Sequence, residues 1–198
     1  MTNFALLTLL AYLLGSIPSG LLVARALKGP DPRTQGSGNL GAANLYRLLG
    51  LKAAILTFLG DAGKGALPVL LALNWLGHLN AWQETGVAAV GAAAVLGHIF
   101  PLYLGFRGGK AVATTFGVIA VLAPLAAANL VLVYILALVQ TRIFSAAALI
   151  CAWFLPLAVG LFSPSKAYLF LAGVLSGMIL ICHRENLARL FKGEEPRI

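Results

Sequence analysis

The run from Ala111 to Val139, AVATTFGVIAVLAPLAAANLVLVYILALV, carries no charged residue, and its reading decides the architecture of the chain. As one straight helix it would be about 44 Å long at ~1.5 Å per residue. That is too long for one crossing of a hydrocarbon core about 30 Å thick and short for two. Pro124, near the middle, breaks the helical hydrogen-bond ladder and offers the turn of a tight helical hairpin. The flanking charges settle the matter. Arg107 and Lys110 precede the run and Arg142 follows it, and basic loops stay on the cytoplasmic side of a membrane. Two crossings keep all three on one side; one crossing would separate them.

Working outward, the other apolar segments fall at about Asn3–Ala24, Asn44–Leu76, Thr85–Tyr103, Ile143–Phe162 and Ala167–Ile181. Arg25, Lys28, Arg33, Arg47 and Lys52 cluster after the first, and Arg184, Arg189, Lys192 and Arg197 fill the C-terminus. Between the clusters, Gly77–Glu84 has no Lys or Arg and Ser163–Lys166 has a single one. The expectation is an all-α, polytopic integral membrane protein. It has seven transmembrane helices, its N-terminus outside and its C-terminus cytoplasmic, in a single domain over residues 1–198. No fixed-period repeat or low-complexity linker divides it.

Composition agrees. Of 198 residues, 60% are hydrophobic and only 10% charged, with a mean hydropathy of +0.92, against about 25% charged in soluble domains. The net charge of +8 is scattered between apolar runs rather than massed on one element, which argues against a nucleic-acid partner. Cys151 and Cys182 lie in or beside apolar stretches and predict neither a disulfide nor a metal site. The first base is Arg25, after the opening apolar run, so that run reads as a retained span rather than a signal peptide.

Gly36-Ser-Gly-Asn-Leu-Gly41 matches the dinucleotide fingerprint G-x-G-x-x-G, but its context fails. The motif needs a buried strand before it and an acid at the end of a second strand. Here Pro30 and Pro32 precede it, and Asp61 lies inside an apolar span. Glycine's physical use survives the rejection: Gly36, Gly38 and Gly41 let the backbone approach a ligand closely. The N–H groups opening the next helix present a positive dipole end. Ser37, Asn39 and Asn44 add neutral polar groups and Arg47 adds a cation. The segment reads either as an anion cradle or as a Gly/Asn turn capping a membrane helix.

Phe106-Arg-Gly-Gly-Lys110 repeats that chemistry: Gly108 and Gly109 lie between Arg107 and Lys110, directly before a helix. It is not a Walker A loop, because Ala111 stands where Ser or Thr is required. Its backbone N–H groups and cations are expected to converge on a phosphate. His183 and Asn186 share a helix face at the end of the last span, and Arg142 and Ser145 open the Ile143 span. Asp61 and Lys64, three residues apart inside the second span, suit a mutual ion pair, and His98 and Pro101 suit a helix-end kink. Four loops far apart in sequence thus meet one membrane face and imply an anion site beside lipid. A substrate with one apolar and one phosphorylated end fits it.

GSGNLGAAN (Gly36–Asn44), GHIFPLYLGFRGGK (Gly97–Lys110) and HREN (His183–Asn186) resemble the signature motifs of the acyl-phosphate-dependent glycerol-3-phosphate acyltransferases of bacterial membranes. YLLGSIPSG (Tyr12–Gly20) and DAGKG (Asp61–Gly65) are similar to that family too, and the resemblance runs through the whole chain in order. Ala43 departs from it, since members commonly have Thr there. The resemblance implies acyl transfer from acyl phosphate to the 1-hydroxyl of glycerol 3-phosphate, the first acylation of phospholipid synthesis. The products would be lysophosphatidic acid and phosphate, made at the cytoplasmic face of the inner membrane by a monomer without metal or cofactor. Position by position, it implies that Ser37, Asn39 and Arg47 serve the glycerol phosphate side, together with Gly36, Gly38 and Asn44. Arg107, Gly108, Gly109 and Lys110 would surround the acyl phosphate, and Ser145, His183 and Asn186 would complete the polar wall. Ser37, Lys110, His183 and Asn186 are the expected catalytic group.

The residues suit this chemistry independently. An acyl phosphate is a mixed anhydride with a good leaving group, so fixed cations and N–H donors supply most of what is needed. The proton acceptor is either His183 or a substrate phosphate. The His-x-x-x-x-Asp pair of the other large group of glycerolipid acyltransferases is absent: no histidine stands five residues before Asp31 or Asp61. A transporter of an organic phosphate is the alternative, but such proteins gather their sites at the midplane in repeated, broken helices.

Overall fold

The computed structural model describes residues 2–76 and 80–198. Among them every regular element is helical: α1 (Thr2–Gly15), α2 (Ser19–Ala26), α3 (Ala42–Leu76), α4 (Ala81–Ile99), a 3-10 turn (Leu102–Leu104), α5 (Val112–Leu122), α6 (Pro124–Thr141), α7 (Phe144–Phe162), α8 (Lys166–Cys182) and α9 (Arg184–Phe191).

Two expected spans are broken near the polar loops, and the Ala111–Val139 run is interrupted beside Pro124, at the far end of α5 from Lys110. The first divides at Ser16–Pro18, because Pro18 removes a backbone donor where α1 would continue. The second is bent at Gly50, whose φ of 79° and ψ of −170° no helix accommodates. Residues before it form a short arm carrying Asn44 and Arg47, and those after it make the crossing. In the Ala111–Val139 run the interruption falls at Ala123, and Pro124 occupies the first position of α6. Proline is well placed there, since a helix's first N–H groups have no internal partner.

By length and composition five spans can cross a membrane, or six when α8 and α9, bent by 60°, are taken as one. Helix α5 has 11 residues, about 17 Å at ~1.5 Å per residue, and is shorter than a full crossing. The hairpin expected at Pro124 is therefore unequal, because α5 starts only after the glycine loop ends at Ala111.

Helices α1 and α4 pack together, as do α3 with α5, α6 with α7 and α7 with α8. The two tightest crossings use glycine reciprocally. A Cβ at Gly15 would overlap the Ala94 carbonyl and one at Gly97 the Tyr12 carbonyl; Gly65 and Gly117 stand in the same relation to Thr114 and Ala62. Lipid offers no hydrophobic drive for helix association, so such close backbone approach supplies the attraction instead. The interior is small and β-branched, with Val69, Val87, Val90, Ala94, Val95 and Val118 fully buried. Leu59, Leu70, Leu132, Leu136 and Phe170 face outward, as a lipid-facing surface requires.

Candidate active site

The loop from Leu27 to Gly41 is organised by one side chain. Asn44 is 1% exposed; its Oδ1 accepts from the Ser37 N–H at 2.9 Å. Its Nδ2 reaches the carbonyls of Pro32, Gln35 and Asn39 at 2.9–3.1 Å. Two hydrogens serve three acceptors, so this amide is saturated. Gly36 and Gly38 have φ of 63° and 69°, and a Cβ on Gly36 would collide with the Asn44 amide. The Asn39 side chain caps the Gly41 N–H at 2.8 Å. Asn44 thus holds the loop that presents Ser37, and Gly36 and Gly38 shape it. Arg47 stacks over Phe144, its guanidinium 6.0 Å from the ring centre.

The second glycine loop is built differently. Gly108 and Gly109 donate their N–H groups to the carbonyls of Ile99 and His98, both at 3.1 Å. The end of α4 leaves those carbonyls without helical partners, and the loop satisfies them. These two N–H groups are therefore not free for an anion, contrary to the expectation from sequence. What the loop delivers is Lys110 and, through Ala111 at φ 59°, the start of α5 with its first N–H groups turned to the same end. Lys110 donates to the Asn186 side-chain carbonyl. Burial, reinforced by Arg189, holds its ammonium below the ordinary lysine value, with Glu195 and Glu185 opposing. Arg107 is exposed and lies off the cavity wall.

At the end of α8 the His183 Nδ1 lies 2.8 Å from the Ile179 carbonyl. A carbonyl only accepts, so Nδ1 carries the proton and Nε2 is left as an acceptor in the neutral ring. Burial pushes this imidazole, just past the span, down to about 4, so it is neutral at neutral pH. Glu195, absent from the sequence reading, closes the cluster. Its carboxylate accepts from Ser145 Oγ at 2.7 Å, from Asn186 Nδ2, and from Arg189 Nε at 2.6 Å. The tail is pinned further by the Ile198 N–H on the Arg142 carbonyl at 2.8 Å. An acid in the C-terminal tail of a chain with only six acids was the available signal. Burial would raise the Glu195 pKa, but the hydrogen bonds from Ser145, Asn186 and Arg189 outweigh it and hold it below the ordinary 4.5.

One cavity of about 370 Å³ unites these groups. Ser37, Asn39, Asn44, Arg47, Lys110, Ser145, His183 and Asn186 line it, so four loops distant in sequence do converge. Much of its remaining wall is apolar, with Phe116, Ile119, Leu130, Val131, Tyr134 and Leu155 running between the helices. Thr115, on the first turn of α5, also lines it, and among the described residues its buried hydroxyl makes no hydrogen bond. Asp61 and His98 line the cavity as well, and Asp61 pairs with Lys64 at 2.9 Å, as their spacing predicts. No cluster of three potential metal ligands occurs among the described residues.

One cavity with cations at its polar end and an apolar wall between helices defines the class: an integral membrane protein with a polar site beside lipid. A family model described as Glycerol-3-phosphate acyltransferase matches residues 5–193, and the chain belongs to that family. It is 44% identical to the glycerol-3-phosphate acyltransferase of Geobacter sulfurreducens over 197 residues, covering 100% of this chain and 98% of the relative. It is 46% identical to that of Pseudomonas syringae pv. tomato, covering 97% and 96%. Among solved structures it is similar to PlsY (YgiH), an integral membrane glycerol 3-phosphate acyltransferase. The glycerol 3-phosphate form matches with TM-score 0.92 and 38% identity, covering 99% of this chain and 96% of that one. The lysophosphatidic acid form matches with TM-score 0.90 and 37% identity, covering 99% and 95%. The chain is a multi-pass membrane acyltransferase of glycerolipid synthesis.

Proposed function

We propose that this chain transfers a fatty acyl group from acyl phosphate to the 1-hydroxyl of sn-glycerol 3-phosphate. The products are lysophosphatidic acid and inorganic phosphate. One observation carries the reading: a single cavity joins a polar end with Lys110, Ser145, His183 and Asn186 to an apolar arm walled by Ile119, Leu130 and Leu155. A reaction between a phosphorylated alcohol and a lipid-borne donor needs both halves.

In the proposed reaction the glycerol hydroxyl oxygen attacks the acyl carbonyl carbon. The bond between that carbon and the bridging phosphate oxygen breaks, and the hydroxyl proton ends on the departing phosphate. Lys110 and the N–H groups opening α5 offset the charge gathered on carbonyl and phosphate oxygens. The His183 Nε2, free to accept, orients the hydroxyl, while a phosphate oxygen of the substrate takes the proton. Ser37, Asn39 and Arg47 hold the glycerol phosphate and Lys110 faces the acyl phosphate, with no metal or cofactor.

The proposal extends to placement. The chain acts as one domain and as a monomer, with N-terminus outside and C-terminus cytoplasmic. Short α5 is the seventh membrane segment, and the site faces the cytoplasm from the inner membrane. Basic residues at the four loops of the site support this orientation. The deciding measurement is phosphate release by purified protein given acyl phosphate, with and without glycerol 3-phosphate. Acceptor-dependent release with formation of lysophosphatidic acid is expected. Release that ignores the acceptor, together with uptake of glycerol phosphate into vesicles, would favour a transporter.

A further inference from the structure

Behind the glycine loop lies a buried polar cluster that the proposed chemistry does not use. His98 is 6% exposed, Asp61 2% and Lys64 8%. Asp61 Oδ1 lies 2.9 Å from Lys64 Nζ and 3.6 Å from His98 Nδ1. Lys64 also donates to the Ile17 carbonyl at 2.7 Å, at the break between α1 and α2. The cluster therefore ties three segments together in one place.

The fourth segment tied there is the loop that delivers Lys110. Gly109 lies directly on the His98 imidazole: a Cβ at Gly109 would overlap Nε2 and stand only 3.0 Å from Cε1. Gly109 N–H is also bonded to the His98 carbonyl. Both the backbone and the ring of His98 thus determine where Gly109 sits, one residue before Lys110. A small second cavity, lined by Ile17, Asp61, Lys64, His98 and Gly109, lies beside this contact, and Asp61 and His98 lie between it and the main cavity, lining both. Nδ1 of His98 makes no hydrogen bond among the described residues and stands 3.6 Å from the Asp61 carboxylate. That carboxylate is the group able to fix the ring's orientation. A helix-end kink, the ordinary reason for a histidine at this place, requires neither the carboxylate nor the contact with Gly109.

We propose that His98, oriented by Asp61, is a positioning residue that sets the Gly108–Lys110 loop through its contact with Gly109 and so fixes the ammonium of Lys110 on the substrate phosphate. The proposal rests on the acyl-transfer reading above, and wild-type turnover tests that reading separately. The experiment measures KM for acyl phosphate and for glycerol 3-phosphate, kcat and melting temperature for wild type, H98L, H98N and the charge-neutral pair D61N/K64M. In H98L and D61N/K64M we expect the KM of the substrate whose phosphate meets Lys110 to rise about tenfold. The other KM should change less than about twofold and melting should stay near wild type. H98N, which keeps a donor toward Asp61, should recover most of that rise. Equal rises in both KM values, a rise that follows loss of melting temperature, or no recovery in H98N would each overturn it. An unchanged KM in H98L would do so as well.

Discussion

The two glycine loops look alike as sequence, and the molecule uses them in opposite ways. In the loop before α3, Gly36 and Gly38 adopt left-handed φ values of 63° and 69° and shape an exposed loop held by Asn44. In the loop before α5, Gly108 and Gly109 are absent from the left-handed residues, while Phe106 and Ala111, neither of them glycine, are among them. There glycine is needed for room: a Cβ on Gly108 would overlap the His98 carbonyl, and one on Gly109 the imidazole. Gly38 needs glycine's conformational freedom, Gly36 both that freedom and the lack of a side chain, and Gly108 and Gly109 the lack of a side chain alone. A shared spelling does not imply a shared physical cause.

The largest effect expected from testing this contrast is at the residue that the second loop delivers. Lys110→Ala removes the loop cation that reaches Asn186. It should lower kcat/KM by about 10²–10³-fold, the usual loss for one preorganised charge-stabilising donor, with melting unchanged. Turnover near wild type would detach this loop from the site. Next come the glycines themselves. Gly108→Ala meets fixed backbone and should lower activity by about 100-fold or destabilise the loop outright. Gly38→Ala meets nothing closer than 3.5 Å and carries only left-handed strain of about 1 kcal/mol, a few-fold loss. Gly38→Asn should be milder still, because Asn tolerates that conformation. Equal losses at Gly38 and Gly108, measured in the same assay, would erase the distinction.

The smallest effect concerns the tail. Glu195→Gln keeps an acceptor for Ser145 but gives up its charge toward Arg189, a loss of about 1–2 kcal/mol in tail docking. The native carboxyl titrates below 4.5, so its contribution is complete above that pH and disappears as the pH falls through the lower folded value. Limited proteolysis of the C-terminus should accelerate under acid in the native protein. The Gln variant should be cleaved faster at neutral pH and lack the acid step.

Much of the site was legible because its residue types are chemically costly in a membrane chain. Lys110, His183 and Asn186 stand out among apolar neighbours. What stayed hidden depends on partners distant in sequence. Asn44 looked like a ligand, and only its bonds to Pro32, Gln35 and Asn39 reveal a staple. Arg189 is one of several C-terminal bases in the sequence, and only the fold brings Glu195 against it. The Gly108 and Gly109 N–H groups looked available because nothing local says that the end of α4 needs them. The kink at Gly50 was equally silent, since glycine inside an apolar run is also the mark of close helix packing.

By itself, the sequence determined that this protein is helical and lives in a membrane. Hydrocarbon tolerates no unpaired backbone, and charge distribution orients what crosses it. Only the tertiary structure decided which polar groups remain free for a ligand and which bind the fold. A donor or acceptor is spent or available according to what lies within about 3 Å of it, and in this chain those neighbours come from other helices.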